Sequence, residues 1–179
     1  SINLSGIINA IDDQTLHDLA KQVGLALMRQ GLMLASAESC TGGLLGQTVT
    51  SIPGSSAWYQ SGFITYTANA KQKMLGISTK TLKEYGEVSE QIAREMAHGV
   101  VVKSGAQVSV SITGIAGPGG GTTKKPVGMV CFAWKVKDSH MRSETRHFSG
   151  DREAVRQQSV AVAMQGLVAL LRNTDYSVA

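Results

Sequence analysis

The sequence predicts an α/β fold: a three-layer αβα domain on a mostly parallel sheet, with an antiparallel hairpin added. Three observations predict it. Helical and strand periodicities alternate along most of the chain, the pattern of helices packed over a parallel sheet. Residues 129–137 and 141–148 break that alternation as two consecutive extended runs, which suits a hairpin turning near Asp138-Ser139. The 179 residues are 42% hydrophobic with only three prolines, enough for a real core and too apolar for disorder. A single domain over 1–179 is expected, with residues 1–11 a loosely tied end.

Each element has its own local signal. Asp12 or Asp13 can cap a helix whose apolar positions Leu16, Leu19, Val23, Leu27 and Met28 follow the helical period, and Gly31 stops it. Residues 32–38 read as a strand, 42–51 as a helix, and Ile52-Pro53-Gly54-Ser55-Ser56 as a turn. Gly62 to Thr67 reads as a second strand, followed by a short helix through Lys71 to Leu75. Ser78 or Thr79 opens another short helix ending at Gly86, and Ser89 caps a longer one carrying Ile92, Met96, Ala97 and Val100 on one face. Val108, Val110 and Ile112 alternate with Ser109, Ser111 and Thr113, which is strand periodicity. Residues 114–128 hold six glycines and two prolines and form a loop. Asp151 starts a last helix with Val155, Val162, Leu167, Leu170 and Leu171 at helical spacing.

Composition narrows the function classes. The net charge is +4, yet the basic residues are scattered and the chain has only nine aromatics. Stacking platforms for nucleic acid are therefore scarce, no nucleic-acid partner is expected, and a modest positive field suits a small anionic ligand. No apolar stretch approaches the ~20 residues of a membrane span. The start Ser1-Ile2-Asn3 lacks the basic region of a signal peptide. Two cysteines, Cys40 and Cys131, are too few for a disulfide framework. A cytoplasmic location is expected, with no membrane partner.

The chemistry centres on Ala37-Glu38-Ser39-Cys40-Thr41-Gly42-Gly43. Ser39 stands where a strand gives way to a helix, beside unpaired N–H groups that can hold an oxyanion. Taken alone, that position also suits a helix cap. In open α/β sheets ligands sit beyond the carboxyl ends of the strands. If the first three strands are parallel, Ser39, Tyr66 and Gly114 share one edge. A serine nucleophile needs a base, and His17, His98, His140 and His147 lie away from every predicted strand end. The absence of GxSxG also weighs against a hydrolase elbow. Lysine is the remaining base, and Lys71 follows Tyr66 closely; a phenol between the two could relay a proton. Cys40 is a competing nucleophile. No His, Cys and carboxylate cluster has metal-ligand spacing, so no metal is expected. The glycine-rich loop from Thr113 lets backbone approach a ligand, and Arg152 and Arg156 offer forks for phosphate.

Four ordered segments carry a resemblance. They are Ala37 to Gly43; Pro53-Gly54-Ser55-Ser56-Ala57-Trp58; Gly62-Phe63-Ile64-Thr65-Tyr66-Thr67 continuing to Ala70-Lys71; and Thr113-Gly114-Ile115-Ala116-Gly117-Pro118. Lys125-Pro126-Val127-Gly128 and Phe148-Ser149-Gly150-Asp151-Arg152 follow the last in order. From about residue 16 to 171 the chain resembles the competence-damage-inducible CinA C-terminal domain family, and within it the stand-alone nicotinamide mononucleotide deamidases. The resemblance implies hydrolysis of that nucleotide's carboxamide to nicotinate mononucleotide and ammonia. It implies Ser39 as nucleophile, Lys71 as base and Tyr66 as a third catalytic group. Ser56 and Arg152 match substrate positions. No cofactor and no metal are implied, and homo-oligomers are common, a dimer being favoured here. Thr41, Gly42 and Gly43 are the expected oxyanion donors. Thr113, Gly114, Arg152 and Ser56 are the expected substrate contacts, with the phosphate assigned equally to the glycine loop, Arg152 or Ser56. The alternative reading is an inactive paralogue that binds a nucleotide as a regulatory module.

Overall fold

Asp12 accepts a hydrogen bond from the Thr15 N–H at 2.8 Å and starts helix α1, Asp13–Gln30. The structure is a computed structural model that describes residues 11–138 and 141–173. The expected loose end therefore lies outside the described residues except for Ile11, and so does Ser139 of the hairpin turn. After α1 come β1, Leu34–Glu38, and α2, Leu44–Thr50. A 3-10 turn at Ser55–Ala57 leads to β2, Tyr59–Ile64. Helices α3, Ala68–Leu75, α4, Thr79–Tyr85, and α5, Glu90–Ser104, precede β3, Val108–Gly114. Strands β4, Met129–Val136, and β5, Met141–His147, form the hairpin, and α6, Arg152–Asn173, follows.

The sheet order is β2-β1-β3-β4-β5. β1 pairs in parallel with both β2 and β3, whereas β3–β4 and β4–β5 are antiparallel. Strand side chains alternate between two helical layers. Leu34, Val108, Val110, Ile112, Phe132 and Trp134 pack against α1, α2 and α6. Ala35 and Ala37 pack with Leu75, Ile92 and Met96 on the opposite face. The serines of β3 also point into that second layer and are buried. Ser109 donates to the Ala97 carbonyl at 2.7 Å and Ser111 to the Ala93 carbonyl at 2.6 Å. An apolar and polar alternation thus marks two buried faces, because each hydroxyl finds a carbonyl of α5.

Two boundary differences from the sequence reading bear on the site. β2 runs from Tyr59 to Ile64 rather than from Gly62 to Thr67. Its register is set by β1, with Leu34 opposite Tyr59 and Glu38 opposite Ile64, so pairing stops where β1 stops. Tyr66 consequently lies two residues beyond the strand. α2 starts at Leu44 rather than at residue 42, because Gly42 and Gly43 have φ of 59° and 108° and form the turn.

Trp134, fully buried, donates its Nε1–H to the Ala163 carbonyl at 2.8 Å and lies flat against α6 at Gly166. A Cβ at residue 166 would collide with the indole. Gly166→Ala gains about 1 kcal/mol of helix propensity but overpacks a locked ring, which typically costs about 1–3 kcal/mol. The net expectation is a loss of up to about 2 kcal/mol, read as a lower urea midpoint at unchanged m-value.

Candidate active site

The parallel strands β1 and β3 end side by side, and the Thr65-Tyr66 segment that continues β2 lies next to them. Above these ends is a cleft of about 420 Å³. It is lined by Ser39 and Cys40 from the β1–α2 turn, by Tyr66 and Lys71, and by Thr113 and the loop that follows it.

Ser39 is free to act because another residue caps the helix. The Glu38 carboxylate, 2% exposed, accepts from the Leu45 N–H at 2.9 Å, the Gly46 N–H at 3.0 Å and the Thr41 hydroxyl at 2.7 Å. It closes the N-terminus of α2, where orphan N–H groups and the helix dipole favour a negative charge. Ser39 is held instead by its own N–H, which donates to the Ile112 carbonyl at 3.0 Å. Its Oγ faces the Lys71 amine.

Lys71 lies in the first turns of α3, capped by Thr67, whose hydroxyl accepts from the Ala70 N–H at 3.1 Å. Its side chain turns inward and is only 1% exposed. Its Nζ donates to Ser39 Oγ at 2.9 Å, to the Thr65 carbonyl at 2.9 Å and to the Tyr66 carbonyl at 3.3 Å. Glu87 Oε1 is 3.8 Å away. Burial pushes the lysine below its ordinary pKa, while Glu87 pushes it back up. A neutral amine keeps two N–H bonds to the two carbonyls and turns its lone pair toward Ser39 Oγ. The arrangement can therefore take the serine proton.

The expected residues divide on inspection. Ser39, Lys71, Tyr66, Thr113, Gly114 and Arg152 come together around the cleft. Tyr66 offers its backbone carbonyl to Ser39 Oγ at 3.3 Å, while its hydroxyl accepts from Arg152 at 3.1 Å. The phenol is 56% exposed and stands away from the serine–lysine contact, because Lys71 reaches Ser39 directly. Arg152 also donates to the Gly117 carbonyl at 2.7 Å, fixing the loop to α6. Ser56 sits in the exposed 3-10 turn and does not line the cleft. Nor do Thr41, Gly42 and Gly43. The Gly42 N–H is taken by the Ser39 carbonyl at 3.0 Å, and Gly42 and Gly43 line a separate groove with Arg156. Cys40 lines the cleft but burial pushes its thiol up to about 12, so it stays protonated and is a poor nucleophile.

Three charged residues were not singled out from the sequence. Glu38 carried a signal, a carboxylate on a strand end followed by two glycines and a helix. Glu87 carried none, and Lys125 stood only within the Lys125-Pro126-Val127-Gly128 segment of the resemblance, with no role assigned; both sit in irregular segments. Lys125 lines the cleft and donates to the Tyr85 carbonyl. Among the described residues no group of three or more His, Cys, Asp or Glu side chains could hold a metal ion, and no helix is long and apolar enough to cross a membrane.

Residues 16–171 match the family model of the CinA C-terminal domain. The chain belongs to that family. It is 48% identical over 155 residues to a protein of Enterobacter agglomerans named nicotinamide-nucleotide amidohydrolase PncC, covering 87% of this chain and 94% of that one. The Escherichia coli K12 protein of the same name is 46% identical over the same shares. Among solved structures, the competence/damage inducible protein CihA of Agrobacterium tumefaciens superposes with a TM-score of 0.84 at 43% identity, covering 87% of this chain and 95% of that one.

Glu38→Ala would strand two backbone donors and a buried hydroxyl, each worth about 1–3 kcal/mol when left unmet. The variant should lose at least about 2 kcal/mol of stability, and Glu38→Gln, which keeps one acceptor oxygen, should lose less. Urea unfolding of the two variants beside wild type checks the order.

Proposed function

We propose that the chain hydrolyses the carboxamide of nicotinamide mononucleotide, giving nicotinate mononucleotide and ammonia. The observation that carries this reading is the buried Lys71 Nζ at 2.9 Å from Ser39 Oγ on the floor of a nucleotide-sized cleft. The amidohydrolase relatives, at 46–48% identity over nearly their whole length, support the substrate.

In this reading Ser39 attacks the amide carbon while neutral Lys71 takes the hydroxyl proton. The carbonyl oxygen becomes an oxyanion. Its stabilisation passes from the Thr41–Gly43 segment to the backbone of residues that line the cleft, Cys40, Gly114, Ala116 and Gly117, the Ile115 N–H being taken by the Met129 carbonyl. The lysine ammonium gives its proton to the amide nitrogen, the C–N bond breaks and ammonia leaves. Water then attacks the acyl-serine, with Lys71 again taking the proton; the ammonium returns it to Ser39 Oγ as the C–O bond breaks, and nicotinate mononucleotide is released. Tyr66 positions rather than relays, through the carbonyl it shares with both partners. Arg152 and the glycine loop hold the phosphate; Ser56 leaves this list. Every step uses the chain's own groups and water. We further place the protein in the cytoplasm as a single-domain homo-oligomer, a dimer, with this small nucleotide as its partner.

Ammonia release from nicotinamide mononucleotide is the deciding measurement. Ser39→Ala and Lys71→Ala should each lower kcat by about 10³-fold or more, the scale on which a nucleophile or its base is lost. Cys40→Ala should stay close to wild type. A dead Cys40→Ala beside an active Ser39→Ala would overturn the serine assignment. Nucleotide binding without any ammonia from wild type would instead favour the regulatory-module reading.

The pH profile gives an independent check. Lys71 works only when neutral, and burial moves its pKa down from 10.5. Activity should therefore rise with pH through an acidic limb placed below the ordinary lysine range. A limb at or above that range would remove Lys71 as the base.

A further inference from the structure

The cleft has an uneven charge pattern. Its lining holds three cations, Lys71, Lys125 and Arg152, and among the described residues a single carboxylate, Glu87. Lys71 is on the floor beside the nucleophile. Arg152 is reached along Tyr66, whose backbone carbonyl accepts from Ser39 and whose side-chain hydroxyl accepts from Arg152. Glu87 lies at the reactive end, because its Oε1 is 3.8 Å from the amine that is itself 2.9 Å from Ser39 Oγ.

Glu87 is built in, yet open to the cleft. Its backbone carbonyl accepts from the Thr113 hydroxyl at 2.9 Å at the end of β3. Two residues on, Ser89 caps α5 by accepting from the Ile92 N–H at 3.2 Å. Its side chain is 51% exposed. A carboxylate there has no favourable role in activating the base, since it stabilises the lysine ammonium. It needs a different partner during the reaction.

We propose that Glu87 forms the subsite for the positively charged ring of the substrate, and so selects N1-substituted pyridinium carboxamides over neutral-ring ones. This inference rests on the amidase reading above. An amide carbon must come within about 3–3.5 Å of Ser39 Oγ to react. The ring bonded directly to that carbon then occupies the space beside Lys71, within reach of Glu87. A pyridinium cation there meets the one carboxylate in the lining, while the phosphate at its far end meets Arg152. The cleft matches a zwitterion, positive near the amide and negative beyond it.

The same placement couples binding to activation. The groups facing Glu87 are Lys71 from α3, the Thr113 hydroxyl of β3 and Lys125 of the following loop, with Cys40 and Arg152 across the cleft. Of these, Lys71 makes the ion pair, and the Lys125 amine is bonded to the Tyr85 carbonyl. A ring cation that engages Glu87 takes that carboxylate away from the ammonium and adds a repelling charge. Both changes favour the neutral amine. A neutral ring does neither.

The test compares nicotinamide mononucleotide with its dihydro form, which has the same amide, ribose and phosphate but an uncharged ring. Dissociation constants are measured by calorimetry on Ser39→Ala, which removes turnover, with and without Glu87→Gln. Ser39→Ala should bind the pyridinium form more tightly, and adding Glu87→Gln should cut that preference about three- to fivefold, the scale of one partly solvated charge pair. Ser39→Ala/Glu87→Asp should keep most of it. An unchanged preference after Glu87→Gln, equal binding of both forms before it, or no binding of either would each overturn the subsite. Ammonia release by wild type is scored separately. Loss of that activity with an intact Glu87-dependent preference would sink the amidase reading and leave the cation subsite standing.

Discussion

An amine removed from water must either keep three hydrogen-bond acceptors or give up its proton. Lys71 has been given just enough of each option. Its Nζ sees the carbonyls of Thr65 and Tyr66 and the hydroxyl of Ser39, so the ammonium is solvated by protein instead of water. Two of those acceptors are backbone oxygens that cannot accept a covalent proton, and the third is the nucleophile. Loss of the proton therefore has one geometric consequence: the freed lone pair lies on the line to Ser39 Oγ. The rest of the site serves to keep this amine dry and these three oxygens in place.

The sheet supplies that constraint. Thr65 and Tyr66 are held because β2 is locked to β1 in parallel register, with the Thr65 N–H donating to the Glu38 carbonyl at 2.9 Å past the last strand pair. Ser39 is held because its N–H continues the ladder onto Ile112 of β3. β1, flanked by β2 and β3, thus sets both halves of the dyad from one peptide segment, Glu38-Ser39. Glu38 contributes a third function there. By capping α2 with its carboxylate it removes the competing use of Ser39 as a cap, which would otherwise tie the hydroxyl to a backbone N–H.

Much of this was legible in the chain. The alternation of periodicities fixed the layers, and the strand order that brings Ser39, Tyr66 and Gly114 to one edge followed from parallel pairing alone. The elimination of histidines pointed to Lys71 before any coordinate. What escaped depends on register and burial, which no local pattern records. β2 could slide by three residues because Gly62-Phe63-Ile64-Thr65-Tyr66-Thr67 alternates as well as Tyr59-Gln60-Ser61-Gly62-Phe63-Ile64 does, and only pairing with β1 decides between them. That slip moved Tyr66 off the strand and turned its carbonyl, not its phenol, to the dyad. Ser56 was expected at the site only from the resemblance, and the 3-10 turn leaves it on the surface at the start of β2, away from the cleft. Glu87 and Lys125 enter the cleft from segments without periodicity, so only the fold reveals them.

The neighbouring thiol explains why a serine is the nucleophile where a cysteine stands one residue away. Ser39 and Cys40 share one turn and one dry environment, 6% and 5% exposed. Desolvation penalises whichever form carries charge. For Lys71 that form is the protonated one, so burial leaves more of the amine neutral and able to take a proton. For Cys40 it is the deprotonated one, so the same burial holds the thiol protonated, with a pKa of about 12. A hydroxyl never ionises in the ground state and is not penalised in this way; it needs only a base in contact at the moment of attack. The low dielectric that would silence a cysteine mechanism is the condition a serine–lysine pair requires, and the contact at 2.9 Å falls to Ser39.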